Sequence, residues 1–454
     1  MTCRNRRCFV AGGGLVGIFS ALQLSEKFEE VCIIEKSSKP GGLHSHQKDD
    51  NGYYFDQGTH IPTYTGIEEI DDCIFSEKDI DENWNKFETL ETANFFNGKW
   101  HLENSLINAS HLEHDVYKTG IFELLHTSPA KLNPEYKSAR DYCIQVFGPT
   151  FTANIQEEVT KKLYGTPLDK LSLRAIEMFG HSRLIVSSKE MTRKLKEVSY
   201  FDDILGVHDA GERKLPNPHI YPKSKKGIGY WVEQLELKLE SKNIQVIKNC
   251  SIEKIELDNN TVTGVTLSNA ERQDLDLLVW TLPPFLAFQA AGKTLKGVPP
   301  SLRTSGLYHF VVDQDYLIKD SLYLWNWDLD FKSFRVTLYN NSNNKRHAPH
   351  FGLTVETLSG REEALSTSAE GIYEELLRTK IVSEKAKIIS QMKHVIPNTF
   401  PVPTTEFIDN VSAQADSFDA TFSNALLLGR ASGKAWFIND ALIHAQEKIS
   451  KLEI

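Results

Sequence analysis

The amino-acid sequence predicts an α/β fold built on a parallel sheet, and three features near the start of the chain indicate it. A short apolar run at Cys8, Phe9 and Val10 predicts a buried strand, and small and apolar residues recur at helical spacing from Leu15 to Leu24. A second apolar run, "VCIIEK", completes a β-α-β frame. Three consecutive glycines lie between the first strand and the helix. In regular structure each glycine lowers stability by about 0.5–1 kcal/mol relative to alanine, so three in a row indicate a special requirement at this turn.

The glycine-rich turn fits the pattern G-x-G-x-x-G through Gly12, Gly14 and Gly17. In this pattern the first glycine allows a tight turn, the second lets backbone amides approach a pyrophosphate, and the third lets the helix pack on the strand. Glu35 ends the next strand, 18 residues after Gly17, where an acid usually binds ribose hydroxyls. The spacing predicts a Rossmann-like dinucleotide site. The residues assigned to it here are Gly12, Gly14, Leu15, Val16, Gly17, Glu35 and Lys36.

Two segments beyond Glu35 indicate which dinucleotide binds. "EKSSKPGGLHSH" carries a second glycine pair, and "YYFDQGTHIP" carries the spacing D-x-G-x-H. With these segments the chain resembles the flavoproteins that have two dinucleotide-binding motifs: amine oxidases, protoporphyrinogen oxidases, phytoene desaturases and UDP-galactopyranose mutases. The resemblance implies that the glutamate, the glycine pair and the D-x-G-x-H segment wrap one FAD. The contacts it implies here are Gly41, Gly42, Leu43, Gly58, Thr59 and His60.

The resemblance extends over most of the chain. "YPKSKKGIGYWVEQLELKLESKNIQVIKN" is similar to the middle segment of these families, whose strand contacts the adenine, which assigns Val246 to that contact. "SIEKIELDNNTVTGVTL" predicts a β-hairpin with an Asn-Asn turn. "ALLLGRASGKAWFINDALIHAQEKI" is similar to the closing strand and helix over the pyrophosphate. Its implied FAD contacts are Gly429, Arg430, Asn439, Asp440 and Ala441.

The positions of these segments predict two domains, each made of separate pieces of chain. We assign 1–70, 215–285 and 395–454 to a discontinuous FAD-binding domain, and 71–214 and 286–394 to a substrate domain. Helical periodicity dominates the first substrate piece, and strand-like runs such as "LYHFVVD", "SLYLWNW" and "FRVTLYNN" dominate the second. The substrate domain is therefore predicted to be α+β, with a mixed sheet covered by helices.

Several segments resemble the mutase subfamily in particular: "GTHIPTYTG", "VTKKLYG", "FRVTLYNN" and "FPVPTTE". The resemblance places Arg335 at a substrate phosphate, although an acid such as Asp328 or Asp330 is the alternative partner. The chain departs from the mutase pattern at Thr63, Tyr164, Phe400, Lys434 and Ala435, where residues that hold the nucleotide sugar are lost. The resulting hypothesis assigns catalysis to His60 and Arg335, and substrate contacts to Thr63, Lys162, Tyr164, Arg335 and Lys434.

Three functions therefore stand as hypotheses. The first is an FAD-dependent oxidoreductase that acts on a polar, anionic, sugar-like small molecule. The second is a redox-neutral isomerase of a nucleotide sugar, as in the mutases, and the third is a non-catalytic FAD-binding protein. We expect the FAD to be bound non-covalently, because the attachment cysteine of covalent relatives has no counterpart in "GRASGKAWFIND".

Composition limits the partners. The net charge of −10 and the absence of a long basic run argue against nucleic acid, and no apolar stretch approaches the roughly 18 residues of a membrane span. The six cysteines are scattered without a C-x-x-C pair, which predicts free thiols and a cytoplasmic protein. The histidines show no paired metal-ligand spacing, so no metal is expected. A small-molecule substrate is the expected partner, and a homodimer is left open.

Overall fold

The computed structural model describes residues 6–75, 77–127, 135–179, 181–209, 211, 217–297, 300–343 and 348–452, with only the backbone described for 77–79. The strands are β1 (Arg7–Ala11), β2 (Glu30–Ile34), β3 (His46–Lys48), β4 (Tyr54–Asp56), β5 (Trp84–Phe87), β6 (Thr92–Phe96), β7 (Lys99–His101), β8 (His219–Pro222), β9 (Gln245–Ile247), β10 (Ile252–Asp258), β11 (Thr261–Leu267), β12 (Arg272–Asp274), β13 (Leu277–Trp280), β14 (Leu302–Val312), β15 (Tyr323–Asn326), β16 (Ser333–Leu338), β17 (Phe351–Ser359), β18 (Ile388–Pro401) and β19 (Ala425–Leu427).

The helices lie between these strands in the chain, singly or in runs. They are α1 (Leu15–Leu24), α2 (Glu68–Ile74), α3 (Glu77–Asn83), α4 (His114–Leu125), α5 (Ala139–Phe151), α6 (Glu157–Tyr164), α7 (Arg174–Glu177), α8 (Lys189–Leu195), α9 (Ser199–Ile204), α10 (Gly229–Ser241), α11 (Pro284–Ala290), α12 (Tyr339–Ser342), α13 (Arg361–Ser366), α14 (Ala369–Arg378), α15 (Thr405–Thr421) and α16 (Ile438–Ser450).

A parallel sheet forms one half of the molecule, with the strand order β19-β13-β1-β2-β9. In β1, Cys8 and Val10 face one apolar core, while Phe9 and Ala11 face another. The strand is short and almost wholly apolar because helices or a second sheet cover both faces of the parallel sheet. This arrangement confirms the predicted Rossmann-like α/β fold.

A larger mixed sheet forms the other half, with the strand order β18-β14-β17-β16-β15-β6-β7. Most neighbours are antiparallel, and β15 runs parallel to β6. The predicted runs "LYHFVVD" and "SLYLWNW" lie largely in β14 and β15, whereas "FRVTLYNN" begins in β16 and ends in α12. The helical segment from α5 to α6 packs beside them, with a kink at Gly148 (φ +82°) and a π-helical stretch at Thr152–Gln156.

The hairpin and the cysteines follow the sequence. Strands β10 and β11 form the predicted hairpin, and Asn259 occupies its turn with φ +55°. The cysteines in the described part of the chain, Cys8, Cys32, Cys73, Cys143 and Cys250, are buried free thiols. Cys3 lies outside the described residues. None of the helices in the described ranges combines the length and apolar character needed to cross a bilayer.

Packing moves the edges of the predicted domains. Strand β18 continues to Pro401, which pairs with Leu302 of β14, so residues 395–401 belong to the large sheet and not with 402–454. In the opposite sense, α11 packs on the parallel sheet through Ala287 and Phe288, beyond the predicted boundary at 285. Both differences have the same cause. The predicted domain boundaries lie where sequence motifs end, whereas a segment belongs to the domain in which its strand pairs or its apolar side chains are buried.

Candidate functional site

The glycines of the first turn meet different steric demands. A Cβ on Gly12 (φ +101°) would lie 2.5 Å from the Thr281 hydroxyl oxygen. A Cβ on Gly17 would lie 1.9 Å from the carbonyl oxygen of Gly12, so only glycine lets α1 approach the strand. Gly14 has ordinary extended angles (φ −70°, ψ 175°), and its Cβ position faces open space with no atom within 4 Å. The fold itself therefore does not require glycine at position 14. Only a ligand that occupies the open space would require it.

The N-terminus of α1 opens onto the same space. Gly14 provides no side-chain cap, and no acid lies in the first turn of α1. The first intrahelical bond runs from the Ile18 N–H to the Gly14 carbonyl oxygen at 2.9 Å. The N–H groups of the preceding turn and the positive end of the helix dipole are thus directed outward, which is the arrangement that binds a phosphate.

Glu35 lies at the carboxyl end of β2 and is 9% exposed. Its carboxylate accepts hydrogen bonds from the Gly13 N–H at 2.8 Å and from the Ser37 N–H at 2.6 Å. Beside it is a cavity of about 360 Å³, which we call the strand-end cavity. It is lined by Ala11, Gly12, Ile34, Glu35, Lys36, Cys250, Ser251, Ile252, Glu253, Trp280, Leu282, Leu286, Gln289 and Ala290.

The adenine contact predicted for Val246 needs correction. Val246 lies within β9, where it pairs with Ile33, and its side chain packs against the apolar core on one face of the parallel sheet. The chain reaches the strand-end cavity only at Cys250–Glu253, after β9 has ended. The wall opposite Glu35 and Lys36 is therefore formed by the connection between β9 and β10, four to seven residues beyond Val246.

A second cavity of about 400 Å³, the helix-end cavity, lies at the N-terminus of α1. Segments that are distant in sequence meet there: the first glycine turn, the second glycine pair, the D-x-G-x-H segment and the start of α16. The lining residues are Gly14, Leu15, Val16, Gly17, Gly41, Gly42, Leu43, His44, His60, Thr281, Gly429, Arg430, Trp436, Phe437, Ile438 and Ala441. The structure thus brings together most of the residues that sequence assigned to FAD.

Arg430 lines the helix-end cavity, and its guanidinium has no hydrogen-bond or ion-pair partner among the residues that the structure describes. The protein around the guanidinium lowers the pKa of Arg430 through desolvation. Arg430 is nevertheless exposed at this cavity, so its guanidinium is available to an anionic ligand. Phosphate is suited to it, because guanidinium binds phosphate through paired hydrogen bonds.

Two histidines also line the helix-end cavity. His60 Nε2 lies 3.1 Å from the carbonyl oxygen of Gln57, which can only accept, so Nε2 carries the proton and Nδ1 is the free base. Burial, followed by the charge of Arg335, lowers the pKa of His60 to about 4. The His44 ring lies 4.8 Å from that of His60, centroid to centroid, and burial lowers the pKa of His44 well below its usual range. Sequence analysis missed His44. The signal in the sequence is that His44 follows the second glycine pair, with only Leu43 between them.

Arg335 is held by a protein carboxylate, which corrects its predicted role as a substrate ligand. Its Nε and Nη2 atoms donate to the two carboxylate oxygens of Glu356 at 2.7 and 2.8 Å. The same carboxylate accepts from the Thr59 N–H at 2.9 Å, and a Cβ on Gly58 would lie 2.7 Å from it. Neither predicted alternative, Asp328 or Asp330, is the partner. Glu356, which sequence analysis missed, thus ties the D-x-G-x-H segment to the large sheet.

Two other predicted substrate ligands are used within the protein. Lys162 donates to the backbone carbonyl oxygens of Asp328 and Phe331, the latter at 3.0 Å, and burial lowers its pKa to about 7. Tyr164 is 1% exposed, and its hydroxyl donates to the carbonyl oxygen of Ala175 at 2.9 Å. Lys162 therefore fixes a loop of the large sheet and Tyr164 belongs to the core, so neither faces a cavity as predicted.

The remaining candidates, apart from Ala441, do not line the helix-end cavity. The Thr63 hydroxyl donates to the carbonyl oxygen of Pro218 at 3.0 Å, and Lys434 is exposed outside the lining. Asn439 donates from Nδ2 to the Tyr64 carbonyl oxygen at 3.2 Å, which fixes the start of α16. Asp440 is exposed in the first turn of α16, whereas Ala441 lines the cavity as predicted. The substrate set proposed from sequence does not converge on one point.

Comparison with known proteins supports the same architecture. A model of the NAD(P)-binding Rossmann-like domain family matches residues 10–68. The structure is similar to that of reduced UDP-galactopyranose mutase, with a TM-score of 0.75, 17% identity, and coverage of 98% of this chain and 93% of the mutase. It is also similar to a proposed protoporphyrinogen oxidase from Exiguobacterium sp. 255-15, with a TM-score of 0.73, 14% identity and 98% coverage of both chains.

The sequence is 22% identical over 319 residues to 1-hydroxycarotenoid 3,4-desaturase from Flavobacterium sp. (strain P99-3). This match spans 66% of the present chain and 61% of the desaturase, which is less than two thirds of the desaturase. Taken with the structures, it confirms that the chain has the fold of the FAD-dependent amine oxidase superfamily, as the resemblance predicted.

Proposed function

We propose that this chain is an FAD-dependent oxidoreductase that acts on a polar small molecule. The observation that carries the proposal is the helix-end cavity, where the uncapped N-terminus of α1 and the unpaired guanidinium of Arg430 face one space. Both features stabilise anionic groups such as a pyrophosphate. Two uncharged histidines line the same space and supply hydrogen-bonding groups for chemistry there.

The residues fit an FAD on geometric grounds. The first glycine turn separates the two cavities, with Gly12 lining one and Gly14 the other, so one extended ligand can cross the turn with its diphosphate at α1. Glu35 in the strand-end cavity would bind the ribose of the adenosine half. Arg430 and the N-terminus of α1 would bind the pyrophosphate. Gly41 and Gly42, both with positive φ, would let the backbone approach the flavin half.

The residues of the chain would then orient substrate and manage a proton. FAD, when bound, supplies the hydride acceptor of an oxidation. His60 keeps a free Nδ1 base because Gln57 holds the proton on Nε2. Burial keeps both His60 and His44 uncharged at neutral pH, so either can accept a proton from a hydroxyl or amine. Trp436 and Phe437 give the cavity an apolar side, where Trp436 is buried and Phe437 is 52% exposed.

The substrate that we propose carries sugar-like hydroxyls, since the two histidines that line the cavity are hydrogen-bonding groups. The anionic group assigned to Arg335 is not carried forward, because Glu356 already neutralises that guanidinium. A mutase-like isomerase is less well supported. Tyr164, at the position of the stacking tryptophan of the mutases, lies in the core, and Ala435, at the position of their arginine, is 1% exposed.

The first test is the flavin itself. The purified protein should be yellow and contain close to one FAD per chain. Acid precipitation should release the flavin into the supernatant, since Cys250 is the only cysteine of the described residues that lines either cavity and it lies at the strand-end cavity. A colourless protein that gains no flavin on incubation with FAD would contradict the proposal. A yellow pellet would contradict non-covalent binding.

The second test separates the three functions. The oxidised protein is mixed anaerobically with neutral sugars, sugar acids and a neutral amine, and bleaching of the flavin absorbance is recorded. Bleaching by a hydroxylated substrate supports the oxidoreductase. Isomerisation of a UDP-sugar by the dithionite-reduced protein, with the flavin still reduced at the end, would support the mutase-like alternative. Flavin that dithionite bleaches but no substrate does would favour a non-catalytic flavoprotein.

A further inference from the structure

His44 and His60 form a contact pair within the helix-end cavity. Their ring centroids lie 4.8 Å apart with the ring planes at 45°, and both side chains line the cavity. The edge of Trp231 packs on the other side of His44, with a centroid separation of 5.7 Å. His60 Nε2 is occupied by the Gln57 carbonyl oxygen, whereas no hydrogen bond to either His44 nitrogen occurs within the described residues. Within the described residues, Nδ1 of His60 and the ring nitrogens of His44 thus carry no hydrogen bond, and both residues line a space for a ligand.

Two arginines, Arg430 and Arg335, act on the charge state of this histidine pair. Arg430 faces both rings from the segment after β19. Arg335, on β16, faces His60, and Glu356 of β17 neutralises it through two hydrogen bonds. Burial and these cations oppose a positive charge on either ring, and a charge on one ring opposes a charge on the other. The pair is therefore uncharged while the cavity carries no added negative charge, and it can hold one proton but not two.

We propose that His44 and His60 act as one proton-accepting pair, which takes up a single proton when a flavin in the helix-end cavity is reduced. This inference rests on the proposed function, because it requires a flavin beside the pair. Oxidised FAD takes two electrons and one proton to become the anionic reduced form. The second proton, taken from solvent, goes to a free nitrogen of the pair and balances the new negative charge. In total, two electrons and two protons enter the site.

The midpoint potential of the bound flavin measures this proton count without any substrate. For a two-electron couple, each proton taken up lowers the potential by about 30 mV per pH unit. Because the pKa of His60 is about 4 before reduction, proton uptake by the pair begins above that pH. Dithionite titration with redox dyes from pH 5 to 8 should therefore give a segment with a slope of about 60 mV per pH unit in the wild-type protein.

The double variant His44→Asn/His60→Asn should reduce that segment to about 30 mV per pH unit, because neither ring then remains to take the second proton. His46→Asn is the matched control. It lies two residues from His44 and its ring packs on Tyr54 at 5.0 Å, but it does not line the cavity. The control should keep the wild-type slope.

The outcomes are distinct. A wild-type slope of about 30 mV per pH unit across the range would overturn the inference and leave the proposed function standing. A steep slope that survives in the double variant would assign the second proton to the flavin and also overturn the inference. Variants that lose the flavin would assign the histidines to cofactor retention instead. A wild-type chain that binds no flavin would overturn the proposed function, and this inference with it.

Discussion

Replacing Glu356 with glutamine should destabilise the protein by about 3 kcal/mol, because the guanidinium of Arg335 is then left without its counter-charge. The side chains of Arg335 and Glu356 are 20% and 7% exposed, and two nitrogen–oxygen contacts of 2.7 and 2.8 Å join them. Glutamine keeps one acceptor oxygen but turns an amide N–H toward a guanidinium N–H. It also weakens the bond from the Thr59 N–H to the carboxylate, which is 2.9 Å long.

The magnitude follows from burial. Breaking a buried pair by removing one partner costs roughly 3–5 kcal/mol, and the residual exposure of Arg335 places the expected value at the lower end. The pair Arg140–Glu157 provides a matched control, since its contact is also 2.7 Å but its side chains are 49% and 35% exposed. Glu157→Gln should cost at most about 1 kcal/mol, because water screens an exposed pair.

Urea unfolding followed by circular dichroism measures both values, with the slope against urea concentration expected to stay constant. A double-mutant cycle completes the assay. Arg335→Met combined with Glu356→Gln should cost less than the sum of the two single changes, because no unpaired charge remains buried. The reasoning is refuted if Glu356→Gln costs no more than Glu157→Gln, or if the two single changes simply add. Arg335 would then be free to meet a substrate anion.

Three further predictions concern other parts of the molecule. Gly14→Val should abolish flavin binding and leave the circular dichroism spectrum unchanged. Gly360 is the matched control, because it is also an N-cap with extended backbone and open space at its Cβ position. Gly360→Val should leave the flavin absorbance per chain at the wild-type value. Burial raises the pKa of Asp56 from 3.8 to about 7, so the folded state binds the extra proton and stability falls as pH rises between these values. Asp56→Asn should flatten that decline in urea midpoints measured from pH 4 to 7, and an unchanged decline would contradict the assignment. Tyr164→Phe should lose about 1 kcal/mol, the value of its hydrogen bond to Ala175, and should leave flavin content unaltered.

The sequence predicted those parts of the fold that depend on local geometry. The first turn requires Gly12 for its positive φ and Gly17 for helix–strand contact, and both demands act within a few residues. The hairpin turn at Asn259 is equally local, since asparagine tolerates the left-handed conformation that such a turn needs. The resemblance to the flavoprotein families predicted, in addition, that the second glycine pair and the closing segment lie beside the first glycine turn.

Contacts between strands that are distant in the chain could not be predicted from the sequence. Arg335 lies opposite Glu356 because β16 and β17 pair in that register, and a shift of one residue would point the carboxylate to the other face. The acids considered from sequence, Asp328 and Asp330, are near Arg335 in the chain. Asp328 instead accepts from the backbone N–H groups of Asn97 and Gly98.

Positions carried over by resemblance failed where neighbouring residues changed. Tyr164 aligns with a stacking tryptophan, but its hydroxyl finds a carbonyl partner in the core and the ring packs toward Phe179 and Phe400. Lys162 was expected to face the substrate, yet loop carbonyls satisfy its ammonium group. In both cases a local hydrogen-bond partner, invisible in the sequence, decided where the side chain points.

The order of strands in the parallel sheet has a consequence for how the protein is made. The strand β19 and the cavity residue Arg430 come more than 400 residues after β1, although they complete the same site. During synthesis β1, α1 and β2 emerge early and can form a local unit, since their contacts are close in sequence. The helix-end cavity, however, lacks a wall until β19 and α16 have been translated. A ligand of this cavity can therefore bind only late in synthesis, and until then the β13 edge of the sheet is unpaired.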